Sequence, residues 1–153
     1  MHKEYNTIKI IKMKRFLILI LICLGVTFSA KTQEISESLQ IIESCVKDSL
    51  YYNFTISGDG YLSYNWGDND DNSTEITIDL ANVTIAKDYT FGAPKLWINC
   101  IDNTSCINEQ GRIGSTDGMY FNYSRTYIPA KSPDDLDALF SQINYLMRYS
   151  TGR

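Results

Sequence analysis

The fold of this chain is decided by residues 51–66, which read YYNFTISGDGYLSYNW. Apolar and polar side chains alternate on both sides of the central Gly58-Asp59-Gly60. This period of two is typical of β-strands with one buried face, and glycine and aspartate are common turn residues. The stretch therefore predicts a β-hairpin.

Apolar alternation continues after the hairpin, with one interruption. Ile76, Ile78 and Leu80 share one face of a third strand, but Val83 follows at a spacing that reverses the alternation. A β-bulge or a sharp bend, as at the corner of a barrel, would keep all of these residues inside. Two separate strands joined by a short kink would do the same, and the sequence leaves both open.

Further strands are predicted downstream. Residues 95–101 form one strand, with three side chains on its apolar face: Leu96, Ile98 and Cys100. A five-residue connection leads to Cys106-Ile107. The last strand precedes Pro129 and contains Met119, Phe121 and Tyr123.

A C-terminal helix is predicted over residues 133–148. Ser132 is placed to cap its N-terminus, Pro133 suits the first helical position, and Asp134 and Asp135 suit the positive end of the helix dipole. One face carries an apolar stripe, which predicts burial of all its members: Leu136, Leu139, Phe140, Ile143, Leu146 and Met147.

A second helix is predicted over residues 33–50. Its apolar residues recur at helical spacing: Ile35, Leu39, Ile42 and Val46. The 153 residues suffice for one domain. We therefore expect an α+β fold, in which an antiparallel β-sheet curls into a small barrel or sandwich beside an N-terminal and a C-terminal amphipathic helix. Residues 51–153 form its β-rich domain.

Residues 1–32 have the pattern of a secretory signal peptide. Lys12, Lys14 and Arg15 precede an apolar run over residues 16–25, which is shorter than the roughly 20 residues of a membrane-spanning helix. We expect cleavage near residue 32, no stable membrane insertion afterwards, and a periplasmic or secreted mature chain. An uncleaved anchor is the alternative, and Met13 is a possible true start.

The charge distribution bears on the partners of the mature chain. Residues 33–153 contain 8 Lys/Arg and 17 Asp/Glu, a net charge of −9. A body this acidic repels phosphate backbones, so no nucleic-acid partner is expected.

Cys100 and Cys106 are predicted to form a disulfide. In an oxidising compartment, cysteines at the ends of neighbouring strands are natural partners. Cys100 shares a face with Ile98, so a hairpin closed by the five intervening residues would place Cys106 opposite Cys100. Cys45 is predicted to be a buried free thiol.

No catalytic residue, cofactor or metal site is predicted. The only histidine is His2, in the predicted signal peptide, so the mature chain lacks the base of Ser-His-Asp and Cys-His catalysis. Asp68, Asp70 and Asn72 match the start of a calcium loop, but the Gly and Glu of an EF-hand are missing at its later positions. Weak calcium binding there is left open.

Several segments resemble short, uncharacterised secreted proteins of Bacteroidetes-type bacteria. The resemblance rests on SAKTQ (29–33), ITIDLANV (76–83), LWINC (96–100) with Cys106-Ile107, and the core of the last helix (139–146). The layout of antiparallel strands closed by a C-terminal helix also resembles a pleckstrin-homology-like barrel. That resemblance implies a binding scaffold without chemistry, and the acidic turns here argue against phosphoinositide binding.

The expected function is therefore a non-enzymatic binding module of the bacterial envelope, with an unknown protein or small ligand as its partner. The alternative is a periplasmic inhibitor or immunity-type protein, whose acidic surface would cover a basic partner.

Overall fold

The described residues fold into two helices and two antiparallel sheets in the computed structural model. The structure describes residues 32–46, 50–69, 72–90, 92–113 and 116–151. The predicted signal peptide therefore lies outside the described residues, apart from Thr32. By its contacts the chain divides into two units, Met1–Glu37 and Ser38–Arg153.

In the described part of the chain the elements follow one another as helix, eight strands and helix. Helix α1 is described over residues 32–45. The strands are β1 (Tyr51–Ile56), β2 (Tyr61–Asn69), β3 (Asn72–Asp79), β4 (Val83–Asp88), β5 (Lys95–Cys100), β6 (Ile107–Ile113), β7 (Thr116–Tyr123) and β8 (Arg125–Pro129). Helix α2 spans Pro133–Thr151. The hairpin predicted at residues 51–66 is present as β1 and β2.

The strands form a five-stranded sheet of order β1-β2-β3-β6-β7 and a three-stranded sheet of order β4-β5-β8. The predicted α+β class and antiparallel sheet are confirmed, but the sheets do not close into a barrel. The reversed alternation after Leu80 is explained by two separate strands. A 3₁₀ turn, Leu80–Asn82, carries the chain from β3 in one sheet to β4 in the other. The Asp79 side chain caps this turn by accepting from the Ala81 N–H at 3.1 Å.

The chain crosses between the sheets at two further places beside this turn. Residues 101–106, which begin with a 3₁₀ turn, link β5 to β6, and Ser124 links β7 to β8. Backbone hydrogen bonds extend each sheet up to the corner, because Asp79 N–H donates to the Cys106 carbonyl (3.1 Å) in one sheet and Cys100 N–H donates to the Ser124 carbonyl (2.8 Å) in the other. The crossings therefore form one shared corner at which the β-structure changes direction.

The core is built from the apolar faces of both sheets and from helix α2, which packs against β4, β5 and the 3₁₀ turn. Its fully buried members include Leu62, Tyr64, Ile78, Leu80, Leu96, Ile98, Ile107, Ile128, Leu136, Leu139, Ile143 and Leu146. Three aromatic residues on predicted strand faces lie outside it. Trp66, Phe121 and Tyr123 are 44%, 45% and 40% exposed. Phe121 and Tyr123 lie on β7, an edge strand of the five-stranded sheet, and Trp66 lies in the second half of β2.

Helix α2 begins as predicted. The Ser132 hydroxyl accepts from the Asp135 N–H at 3.1 Å and donates to the Asp135 carboxylate at 2.6 Å, a reciprocal N-terminal cap. The buried stripe is narrower than predicted, because Phe140 and Met147 are only half-buried. Phe140 lies at the border of the stripe, where the Lys87 ammonium is 4.7 Å from its ring centroid.

Helix α1 buries a different set of residues from the predicted stripe. Ser38, Ile42 and Cys45 are buried, whereas Leu39 is half-buried. Val46, just beyond the helix, is buried and pairs with Ala130 in an isolated β-bridge. In the described part of the chain, no helix combines the length and hydrophobicity needed to cross a membrane.

Tyr64 is a large polar side chain at the centre of this core. Its ring centroid lies 5.0 Å from that of Phe54 and 5.9 Å from that of Tyr51. Its fully buried hydroxyl has no hydrogen-bond partner of good geometry among the described residues. Burial raises the pKa of Tyr64, and the Thr126 side chain opposes this only in part.

We expect Tyr64→Phe to leave the stability at neutral pH unchanged or to raise it by about 1 kcal/mol, because the substitution removes an unpaired buried hydroxyl. The advantage should grow above a pH of about 10. There the unfolded wild-type chain loses the tyrosine proton that the folded chain retains, so wild-type stability falls as pH rises. Urea unfolding of both proteins at neutral and alkaline pH measures this. A variant less stable at both would show that the hydroxyl is well bonded.

Candidate functional site

Successive side chains of a strand point to opposite faces of the sheet. In the five-stranded sheet the apolar residues face the core, and the polar residues between them form a cluster on the opposite side. We call this cluster the polar face. It consists of Asn65, Ser73, Glu75, Thr77, Asn108, Gln110 and Tyr120.

Strand register brings these residues side by side. Asn65, Glu75, Gln110 and Tyr120 form one row across β2, β3, β6 and β7, because each is the cross-strand partner of the next. Thr77 and Asn108 are partners in the adjoining row. The surface holds two neighbouring depressions of about 200 and 300 Å³, both lined by Glu75 and Gln110.

A glycine shapes one end of the polar face. Gly67 has a φ of +153° and lies opposite Ser73, where the register of β2 and β3 shifts. A Cβ atom at this position would lie only 2.2 Å from the Asn72 carbonyl oxygen. The absence of a side chain therefore lets β3 approach β2 closely and sets Ser73 at the wall of the smaller depression.

The hydrogen-bonding capacity of the polar face is only partly used within the protein. Gln110 Nε2 donates to the Tyr120 hydroxyl at 3.0 Å. Tyr120 is nevertheless 68% exposed. The side chains of Asn65, Glu75 and Asn108 make no hydrogen bond to other residues that the structure describes. Their donors and acceptors therefore face solvent.

A second exposed surface, on the three-stranded sheet, is occupied by contacts among its own residues. Arg125 stacks 3.6 Å from the Trp97 ring centroid, and Lys95 lies 5.0 Å from that of Tyr127. The Trp97 indole N–H donates to Asp88 at 3.0 Å. Hydrogen bonds, first from the Thr90 hydroxyl and then from Trp97, lower the pKa of Asp88 to about 2. These residues stabilise each other, so the polar face is the better candidate for a ligand.

The structure joins Cys100 and Cys106 as the sequence predicts, with Cα atoms 5.7 Å apart. The predicted route, a hairpin between their strands, is wrong. β5 is flanked by β4 and β8, so no edge remains for β6, which pairs with β3 instead. Asp102 and Asn103 adopt positive φ and turn the chain toward the other sheet. The disulfide therefore joins the two sheets at their shared corner.

The other predicted residues have separate positions. Cys45 is a buried free thiol as predicted, and burial raises its pKa. Asp68 and Asn72 lie at the facing ends of β2 and β3, and Asp70 lies outside the described residues. Among the described residues, no group of three or more potential ligands is arranged around a metal position.

Local sequence patterns do not single out the polar face. The sequence does contain an indication of it. The polar residues that alternate with apolar ones along these strands are mainly amides and hydroxyls, whereas an ordinary solvated face would carry more Lys and Glu. What was missing was the pairing of β3 with β6, a contact between residues more than 25 positions apart. Without that pairing, Asn108 and Gln110 could not be placed beside Glu75.

No protein-family model, no curated protein and no solved structure matches this chain.

Proposed function

We propose that this chain is an exported, non-enzymatic binding module of the bacterial envelope that holds its ligand on the polar face. The observation that carries the proposal is the set of unused donors and acceptors on three neighbouring strands, at Asn65 of β2, Glu75 of β3 and Asn108 of β6. Side chains fixed by a regular sheet need little reordering when a ligand binds, and this lowers the entropic cost of binding.

The composition of the polar face favours binding over catalysis. Among the described residues that line the depressions, Glu75 is the only carboxylate. Hydrolysis of glycosides by the usual route needs a pair of carboxylates, one on each side of the scissile bond. Glu109, the nearest acid along β6, alternates with Asn108 and Gln110 and so belongs to the opposite side of the sheet.

Export is supported by two features. The basic and apolar segments of residues 1–32 fit a signal peptide. The Cys100–Cys106 disulfide fits an oxidising compartment, because cytosolic proteins rarely keep structural disulfides.

The experiment is affinity capture from an envelope extract of the native host, with the full chain expressed there and purified as bait. We expect the wild type to capture a component that the double variant Asn108→Ala/Gln110→Ala does not. The matched control is Asn99→Ala/Gln40→Ala, which makes the same changes on the other sheet and on helix α1. Capture by the polar-face variant equal to that of the wild type would overturn the proposal.

Repeating the capture at high salt tests the inhibitor alternative. A basic protein held by the acidic surface would be released at high salt, because exposed charges are screened. A ligand held by the neutral groups of the polar face would be retained. Release at high salt from wild type and polar-face variant alike would favour the inhibitor.

A further inference from the structure

We infer that the ligand of the polar face is a neutral oligosaccharide, a short chain of linked pyranose rings. This inference rests on the proposed function, since it names the ligand class for the same site. It follows from the hydrogen-bonding groups of the polar face, from the length of its row of side chains and from the exposed ring of Tyr120.

The side chains of the polar face match hydroxyl groups. Each amide of Asn65, Asn108 and Gln110 offers an N–H donor beside a carbonyl acceptor, and the Glu75 carboxylate offers two acceptor oxygens. Neighbouring hydroxyls of a sugar present the same pairing of donor and acceptor. Planar side chains can therefore bind two adjacent hydroxyls at once.

The same composition argues against other ligand classes. The described residues that line the depressions include no Lys or Arg, so these residues offer no counter-charge to phosphate, sulfate or carboxylate groups. Glu75 would also repel them. Aliphatic side chains are missing from the same set, whereas sites for apolar ligands are lined mainly by hydrophobic residues.

The length of the row fits a chain of sugars. Neighbouring strands lie about 4.8 Å apart, so the row from Asn65 to Tyr120 spans about 14 Å across four strands. Two or three linked pyranose rings have this length. The two depressions share Glu75 and Gln110 in the middle of the row, so a continuous ligand would contact both.

Tyr120 supplies a stacking surface at one end of the row. It is the most exposed aromatic residue among the described large hydrophobic side chains, and its hydroxyl is anchored by Gln110 at 3.0 Å. An aromatic face is electron-rich and attracts the polarised C–H groups on the flat side of a pyranose ring. The anchor holds the ring in place before the ligand arrives.

The test is affinity electrophoresis of the full chain in native gels that contain one soluble neutral polysaccharide each: a glucan, a mannan, a galactan or a xylan. Polygalacturonate serves as the anionic comparison. We expect at least one neutral polysaccharide to retard the wild type, at low and high salt alike, and polygalacturonate not to retard it. Retardation by polygalacturonate alone, or by no polysaccharide, would overturn the inference.

Variants assign the binding to the polar face. Tyr120→Ala should weaken retardation at least about tenfold, and Tyr120→Phe should weaken it less because the stacking ring remains. Tyr127→Ala, the same change on the three-stranded sheet, is the matched control and should bind like the wild type. Equal binding by Tyr120→Ala and the wild type would also overturn the inference.

The failure of this inference and that of the proposed function are distinguishable. If no polysaccharide binds but Asn108→Ala/Gln110→Ala still loses the envelope component, the polar face binds another class of ligand. If neither result is obtained, the polar face is not a binding site.

Discussion

Replacing Leu139 with alanine should lower the free energy of unfolding by about 2–5 kcal/mol, the range for removing a fully buried leucine from a core. Leu139 is completely buried, on the face of α2 that packs against the three-stranded sheet and the 3₁₀ turn. Its removal leaves a cavity between elements that cannot close without moving the helix. Urea unfolding, followed by circular dichroism, measures the loss.

Phe140→Ala is the matched control, because Phe140 is the adjacent residue of the same helix. The sequence pattern places both residues in the apolar stripe, but the structure leaves Phe140 half-buried under the Lys87 ammonium. Lys87 itself forms a 2.6 Å ion pair with Asp137, and both partners are exposed. Such surface contacts contribute little. We therefore expect a smaller loss than for Leu139→Ala, and the reverse order would show that α2 is rotated about its axis.

Local sequence patterns predicted the elements of this fold well. Alternation in residues 51–66 and 95–100 reports directly which side of a strand is buried, and Leu62, Tyr64, Leu96 and Ile98 are all buried as expected. The start of α2 was equally predictable, because a cap depends only on neighbouring residues such as Ser132 and Asp135.

Contacts between distant segments were not predictable in the same way. Alternation marks a strand but does not name its partner, so β6 was expected beside β5 and pairs instead with β3. For the same reason the exposure of Phe121 could not be foreseen. Phe121 lies on β7, an edge strand of the five-stranded sheet, and no local pattern records which strand lies at the edge. The polar face is formed by those same long-range pairings. For this reason no candidate binding site could be predicted from the sequence together with the fold.

The disulfide should contribute about 2.4 kcal/mol to stability, by the chain-entropy estimate for a loop this short. Its residues are already tied to their own sheets, since Cys100 N–H donates to Ser124 and Cys106 accepts from Asp79. The covalent bond holds the sheet corner between them. We expect Cys100→Ala/Cys106→Ala to lower the free energy of unfolding by that amount. Urea unfolding measures the loss, and the midpoint should lie at a lower urea concentration than that of the wild type.

A reductant gives an independent measurement of the same effect. Reduced wild type should unfold close to the double variant, and the double variant should not respond to the reductant. Cys45→Ala should keep the full response, because Cys45 is a buried free thiol that takes no part in the bond. If Cys45→Ala lost the response, Cys45 would be part of the bond. If the wild type lacked the response, the Cys100–Cys106 bond would add nothing to stability. The corner would then depend on its backbone hydrogen bonds and on the packing of Leu80 and Ile107 alone.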